Sequence, residues 1–335
     1  MKYHIITYGC QMNKSDSERL AARLERQKHR LAPNIGQADL IIINVCSVRQ
    51  SAINRIYSKV RQLDSQKPRP KIILTGCLLA KDKKRFQNQV DEIWPIISLS
   101  ASQPIKPECQ SLKQTYLPIM TGCNNFCSYC VVPYTRGREK SRPASEIIRE
   151  FKQLVKQGYK EIILLGQNVN SYQSKISFPQ LLQILNNLPG KFKINFLTSH
   201  PKDMSDELIK VISQGKKISK QIHLPVQSGD NQILKKMNRY YTVGHYKKLI
   251  KKIRRSISQA EISTDIIVGF PGETKKQFQN TVKLIKEIGF KQIYTAAYSP
   301  RAGTAAAKLK DNIPPDEKKR RKRIVLDLIN KTYAQ

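Results

Sequence analysis

The chain has 335 residues, room for about two domains and for a sizeable core without disulfide staples. Apolar residues make up 39%, which excludes a disordered polyelectrolyte. Lys and Arg number 60 against 25 Asp and Glu, a net charge of +35, of which residues 1–105 carry +10 and residues 106–335 carry +25. That excess suits a polyanion (RNA, DNA or an anionic membrane surface), or it is a lysine-rich bias with no partner behind it.

At the N-terminus, Met1–Cys10 has no apolar signal-peptide core, and no later run nears the roughly 20 residues of a membrane span. The expectation is a soluble cytoplasmic protein. Seven cysteines, an odd number, in a reducing compartment argue for metal or redox chemistry rather than a disulfide framework.

The first hundred residues alternate strand-like and helix-like segments. Ile5-Ile6-Thr7 leads to Cys10, Leu40-Ile41-Ile42-Ile43 to Cys46, and Ile72-Ile73-Leu74-Thr75 to Cys77, with polar helical sequence at 15–30 and 48–63. Short apolar runs separated by helices predict a parallel sheet in a doubly wound α/β domain. Residues just past the carboxyl ends of such strands gather at one edge, where ligands bind. Three cysteines at equivalent points therefore predict one shared site.

Residues 99–115, with Pro104 and Pro107, read as a linker, placing the first domain at 1–103, the linker at 104–115 and the second domain at 116–335. Cys109 in the linker matches no motif. Beyond it, strands are predicted at 116–120, 161–165, 192–197, 220–224, 262–268 and 291–297. Helices are predicted near 144–157, 178–188, 204–214, 231–256, 274–288 and 315–331. Six β/α units predict an open relative of the eight-unit barrel, with its site at the strand carboxyl ends.

After the first barrel strand comes Gly122-Cys123-Asn124-Asn125-Phe126-Cys127-Ser128-Tyr129-Cys130. Three thiols on one tight loop suit zinc or an iron–sulfur cluster. Zinc usually takes a fourth ligand, and no His or Cys stands nearby. A cubane held by three cysteines keeps one iron open.

Cys-x3-Cys-x2-Cys at the head of a six-unit barrel resembles the radical S-adenosylmethionine (SAM) enzymes. Tyr8-Gly9-Cys10-Gln11-Met12-Asn13, Asn44-Val45-Cys46-Ser47-Val48-Arg49 and Thr75-Gly76-Cys77-Leu78 narrow the resemblance to the methylthiotransferases. Within them, Val131-Val132-Pro133-Tyr134-Thr135-Arg136-Gly137-Arg138-Glu139, Thr198-Ser199-His200-Pro201 and Leu224-Pro225-Val226-Gln227-Ser228-Gly229 resemble the branch acting on N6-dimethylallyladenosine beside the tRNA anticodon. Leu165-Gly166-Gln167-Asn168-Val169-Asn170, the Gly269-Phe270-Pro271-Gly272-Glu273 segment and Tyr298-Ser299-Pro300-Arg301 continue the match.

The resemblance implies that Cys123, Cys127 and Cys130 hold a [4Fe-4S] cluster whose open iron chelates SAM, giving a 5′-deoxyadenosyl radical. It implies that Cys10, Cys46 and Cys77 hold a second, auxiliary [4Fe-4S] cluster that presents sulfur. Tyr129 falls at the position beside the adenine. Gly166, Gln167 and Asn168 stand where relatives carry Gly-Gly-Glu against the SAM amino group, a departure that leaves this contact open. Gly269 falls where backbone approaches the adenine, although a plain turn glycine fits as well. His200 and His223, at strand ends, face the site or sit as satisfied core histidines. The tRNA anticodon stem-loop and an external donor such as flavodoxin or ferredoxin are the implied partners. Relatives also carry a C-terminal TRAM module; the chain stops at Gln335, so the expectation is that this module is absent.

Lys318, Lys319, Arg320, Arg321, Lys322 and Arg323 form a basic block expected to touch RNA. Residues 246–255 are basic too, but Leu249, Ile250 and Ile253 mark an ordinary barrel helix. Competing readings are a methylthiotransferase for threonylcarbamoyl-adenosine or for a ribosomal aspartate. Outside the class stand an iron–sulfur electron carrier and a zinc RNA-binding module.

Overall fold

The computed structural model describes residues 1–96 and 114–333. Most of the expected linker, with Cys109, lies outside the described residues. The first sheet holds β1 (Lys2–Thr7), β2 (Arg30–Leu31), β3 (Leu40–Cys46), β4 (Lys71–Cys77) and β5 (Glu92–Ile93). They are all parallel, in the order β2-β1-β3-β4-β5. Continuous aliphatic runs suit a strand covered on both faces. Ile41, Ile43 and Val45 pack on Ile53, Ile56 and Val60 of α2 (Gln50–Asp64) and on Phe86 of α3 (Ala80–Phe86). Leu40 and Ile42 face the other way, onto Leu20 and Leu24 of α1 (Gln11–Arg26).

The second unit carries β6 (Gln114–Pro118), β7 (Met120–Thr121), β8 (Lys140–Ser141), β9 (Glu161–Leu165), β10 (Lys193–Phe196), β11 (Gln221–His223), β12 (Glu261–Val268) and β13 (Gln292–Ala297). Six of these strands run parallel in two arcs, β6-β9-β10 and β11-β12-β13. The arcs join at Ile194, whose N–H donates to Lys217 and whose carbonyl accepts from Ser219, both at 2.8 Å. The result is the open six-unit barrel. Its helices are α4 (Val132–Thr135), α5 (Ala144–Lys156), α6 (Phe178–Asn186), α7 (Asp206–Gln214), α8 (Asn231–Lys236), α9 (Val243–Ser256), α10 (Lys275–Ile288) and α11 (Pro315–Tyr333).

Two expectations need correction. The first barrel strand starts at Gln114, inside the expected linker, because Gln114 and Thr115 already pair with Glu161 and Ile162. The single helix expected over 231–256 is two, broken at 237–242. Asn238 takes φ +57 there, a left-handed conformation that asparagine tolerates. Thr242 then caps α9 by accepting the His245 N–H.

The two units meet along α1, which lies between the first sheet and β6. Its polar residues are buried there: Asn13 and Ser17 bond Asn44 of the first unit, whereas Asp16 and Arg19 reach across to the second. Met12 packs with Ile163 and Leu165 across the seam. Three buried arginines span it. Arg19 pairs with Glu150 at 2.5 Å, and Glu150 also takes Arg142 at 2.7 Å. Arg136 pairs with Asp16, and Arg301 with Asp82, each at 2.6 Å.

Breaking a buried pair by removing one partner leaves an uncompensated charge, at a cost of about 3–5 kcal/mol. Glu150→Ala strips the carboxylate from two arginines. Urea unfolding of this variant is expected to show a loss in that range. A loss below about 1 kcal/mol, typical of a surface pair, would show that the clasp is incidental.

Candidate active site

The two cysteine trios sit on opposite sides of the seam. In the first unit, Cys46 and Cys77 are register neighbours at the ends of β3 and β4. They are the last strand residues rather than the residues just past them. Cys10 is the N-cap of α1. Gly9 has φ +140, and a Cβ there would stand 2.9 Å from Cys46 Cβ, so only glycine lets the Cys10 turn approach β3 this closely. Asn13 and Asn44 lock the turn: the Asn13 amide donates to Asn44 Oδ1 at 2.9 Å and to the Val45 carbonyl at 3.0 Å. Cys10 is exposed, Cys46 half-buried and Cys77 buried. The trio therefore opens toward solvent on one side.

The second trio rides the loop between β7 and β8. Gly122 has φ +77, and a Cβ on it would strike the Arg138 carbonyl. Its N–H donates to Gln167 Oε1 at 2.6 Å. Phe126 takes φ +47 between Cys123 and Cys127. The helix break at 237–242 supports this loop. The Ser128 N–H donates to the Met237 carbonyl at 3.0 Å, and the Asn238 amide donates to the Phe126 carbonyl at 2.9 Å. The break also brings Arg239 under the loop, where it donates to Cys127 Sγ at 3.4 Å and to the Pro225 carbonyl at 2.7 Å.

Burial pushes the Cys130 thiol up to about 12 and the Cys77 thiol up to about 11, and also raises Cys46 and Cys123. Metal loading takes thiolates, so these sites release protons when filled. Among the described residues, no three His, Cys, Asp or Glu side chains gather tightly enough to share one metal ion. The ligands of a cluster bind different irons and need not converge on a point.

A cavity of about 260 Å³ lies between the units. Tyr129, Cys130, Gln227, Asp265 and Tyr298 line it from the barrel, and Val48 and Arg49, just past Cys46, line it from the first unit. The cavity thus links Cys130 of one trio to the loop that follows a cysteine of the other. Gln227 holds φ +71 and is buried, with no partner for Oε1 among the described residues. Strain of this kind collects at functional sites. Asn168 donates to Asp203 at 2.7 Å while its own buried Oδ1 has no partner among the described residues. Of these orphaned acceptors Gln227 lines the cavity, and Asn168 follows Gln167, which bonds the Cys123 loop through Gly122; acceptors of this kind fit a ligand carrying an amino group.

Other expected site residues make local contacts of their own. Gln167 holds the cysteine loop through Gly122, and a Cβ on Gly166 would strike Met120. Gly269 has φ +68, a left-handed conformation that suits glycine, and a Cβ there would stand 2.5 Å from Lys318 Cγ. The RNA expectation for the basic block is corrected in part. Lys318 turns inward to Asp311 at 2.5 Å, and buried Arg321 pairs with Glu273 at 2.7 Å. Lys319 and Arg320 pair with Asp316 and Glu317 along α11. Arg323 is exposed and Lys322 half-buried. His223 lies against Ser263 Oγ at 3.0 Å and Asp265 at 3.4 Å. Sequence reasoning left Gln227, Arg136, Arg239 and Asp16 out of the site. Arg136 and Gln227 stood inside quoted motifs, whereas Arg239 gave no signal because its loop reads as helix.

Comparison with known proteins agrees with this layout. Residues 117–285 match the model of the Radical SAM superfamily, and residues 2–97 match that of "Uncharacterized protein family UPF0004". The fold is similar to the radical SAM methyltransferase TsrM from Kitasatospora setae (TM-score 0.64, 10% identity, 92% of this chain and 75% of that one). It is also similar to the cobalamin-dependent SAM radical enzyme OxsB (TM-score 0.58, 11% identity, 85% and 52%). The chain belongs to the radical SAM superfamily, whose fold implies SAM and a [4Fe-4S] cluster as cofactors.

Sequence relatives narrow this further. The tRNA-2-methylthio-N(6)-dimethylallyladenosine synthase of Syntrophomonas wolfei is 42% identical, over 100% of this chain and 82% of its own length. That of Thermoanaerobacter pseudethanolicus is 43% identical over 98% and 78%. Within the superfamily, the chain is a member of the family of these synthases.

His200 yields a pH prediction. It is buried, its Nδ1 accepts the Lys202 N–H at 3.2 Å, and burial together with Arg239 brings its pKa down to about 2. A histidine lowered in the folded state supports stability above its unfolded pKa near 6.5, and that support is lost as pH falls. Lowering pH from about 7 to 5 costs about 2 kcal/mol through this group alone. Urea unfolding of the metal-free protein is expected to show that slope, and His200→Gln should remove it. An unchanged slope in the variant would contradict the assignment.

Proposed function

We propose that this protein inserts a methylthio group at C2 of N6-dimethylallyladenosine beside the tRNA anticodon. The observation that carries the reading is one cavity lined by Cys130 and by the loop after Cys46, in a chain with synthase relatives 42% and 43% identical over 100% and 98% of its length. In this reading residues 1–103 form the auxiliary-cluster domain and residues 116–335 the radical SAM domain. Cys123, Cys127 and Cys130 hold the radical SAM cluster, and Cys10, Cys46 and Cys77 hold an auxiliary [4Fe-4S] cluster. When bound, these groups with SAM supply the one-electron chemistry and the sulfur that the protein's own side chains lack.

The chain's residues position and protect. Asn168 Oδ1 and Gln227 Oε1 offer acceptors to the SAM amino group, and Tyr129 offers a ring beside the adenine. Ile266, Ile267, Ala296 and Ala297 wall the cavity with apolar surface that excludes water. The reductant is an external one-electron donor of the flavodoxin or ferredoxin type. Cytoplasmic residence follows from a tRNA substrate, and among the described residues no helix is long and apolar enough to cross a membrane.

The test is an anaerobic reaction of the reconstituted protein with SAM, dithionite and tRNA carrying dimethylallyladenosine, read by nucleoside mass spectrometry. The expected product is the 2-methylthio nucleoside. Cys123, Cys127 and Cys130 changed together to Ala should abolish both product and 5′-deoxyadenosine. Cys10, Cys46 and Cys77 changed to Ala should give 5′-deoxyadenosine without methylthio product. Full methylthio activity in either triple variant overturns the assignment.

The remaining basic surface also predicts how tRNA binds. If roughly four or more phosphates are neutralised, raising salt from about 50 to 200 mM costs on the order of 100-fold in affinity. Titration against anticodon stem-loop RNA at several salt concentrations checks this, and a flat response would assign affinity to base and shape contacts.

A further inference from the structure

Arg136 occupies an unusual place. It follows α4, the short helix that begins just after Cys130, yet its side chain crosses the seam into the first unit. Its Nε–H donates to Cys77 Sγ at 3.1 Å, and its Nη2 takes Asp16 at 2.6 Å. Both members of the ion pair are almost wholly buried, with side-chain exposures of 3% and 5%. A buried ion pair is weak support for a fold, because apolar residues of similar volume often do as well or better. Nor does an Arg–Asp pair need Nε turned onto a sulfur. The second trio repeats the arrangement, with buried Arg239 donating to Cys127 Sγ at 3.4 Å. Each cysteine trio therefore keeps one sulfur beneath a buried guanidinium.

We propose that Arg136 is the positioning residue of the Cys10, Cys46 and Cys77 trio, fixing the Cys77 sulfur with a charged N–H···S bond and setting the reduction potential of the iron–sulfur group held there. The inference rests on the reading that this trio holds a cluster. A cation and a hydrogen bond at a ligating sulfur stabilise the more negative, reduced state, so they raise the potential. Asp16 opposes this by placing a negative charge on the same guanidinium. The barrel thus acts on the first unit's metal site through one side chain.

The test is a redox titration of the full-length reconstituted protein, dithionite supplying one electron per cluster through mediators and electron paramagnetic resonance reading the midpoints. Arg136→Met should lower one midpoint, with at least a tenfold fall in the equilibrium constant for reduction, about 59 mV for a one-electron couple. The other midpoint should hold. Arg136→Lys, which keeps the charge and loses the Nε–H, should restore part of the shift. Asp16→Asn should move the same midpoint the opposite way, and it keeps the proposal testable if Arg136→Met fails to fold. No shift in these variants, or equal shifts in both midpoints, overturns the proposal. Iron analysis separates the two levels: about four irons per chain in the parent protein would remove the auxiliary cluster itself, whereas about eight irons with unmoved midpoints would remove only the role of Arg136.

Discussion

Buried arginine–carboxylate pairs across the seam are the constraint on which the rest of the molecule depends. Arg19 with Glu150, Arg136 with Asp16, and Arg301 with Asp82 all join a residue of the first unit to a residue of the barrel. Each pair is removed from water, so each is tolerable only when both partners are seated. A seam built this way permits few alternative dockings, since sliding by a residue strands several charges at once. It fixes which edge of the parallel sheet meets which end of the barrel. Both are carboxyl ends, where α/β sheets and barrels carry their sites.

From that docking the site follows. The turn at Cys10 and the ends of β3 and β4 come to the barrel mouth, while the Cys123–Cys130 loop comes from the barrel side. Glycines carry the close approaches: Gly9 against Cys46, and Gly122 against the Arg138 carbonyl. Strained non-glycine residues, Phe126 and Gln227, mark where the fold holds backbone in place for the cavity. Local strain is sustained by the large barrel core around it, which includes Phe151, Phe178, Phe196 and Phe278.

Much of this was legible in the sequence. The aliphatic runs at 40–43 and 72–75 placed β3 and β4, and the barrel strands fall within a residue or two of the positions their apolar patterns predict. What escaped had physical causes. The break at 237–242 contains no Gly or Pro; Asn238 and Thr242 make it, so Arg239 was hidden in an apparent helix. Residues 15–30 read only as polar helical sequence, although in α1 Asp16 and Arg19 are spent on the seam and Asn13 and Ser17 on bonds within the first unit. The block Lys318–Arg323 read as a phosphate-binding face because local sequence cannot display Glu273, 48 residues from Arg321, as its partner. Density of charge along a chain says little about which charges remain free.

The central claim is that the two units form one site, with a cluster on each side of a shared cavity. Electron paramagnetic resonance of the doubly reduced protein tests it most directly, because neighbouring paramagnetic clusters broaden and relax one another. The account predicts a spin-coupled spectrum in the parent protein that resolves into single-cluster signals when either cysteine trio is replaced by alanine. Two independent signals that simply add in the parent protein would contradict it.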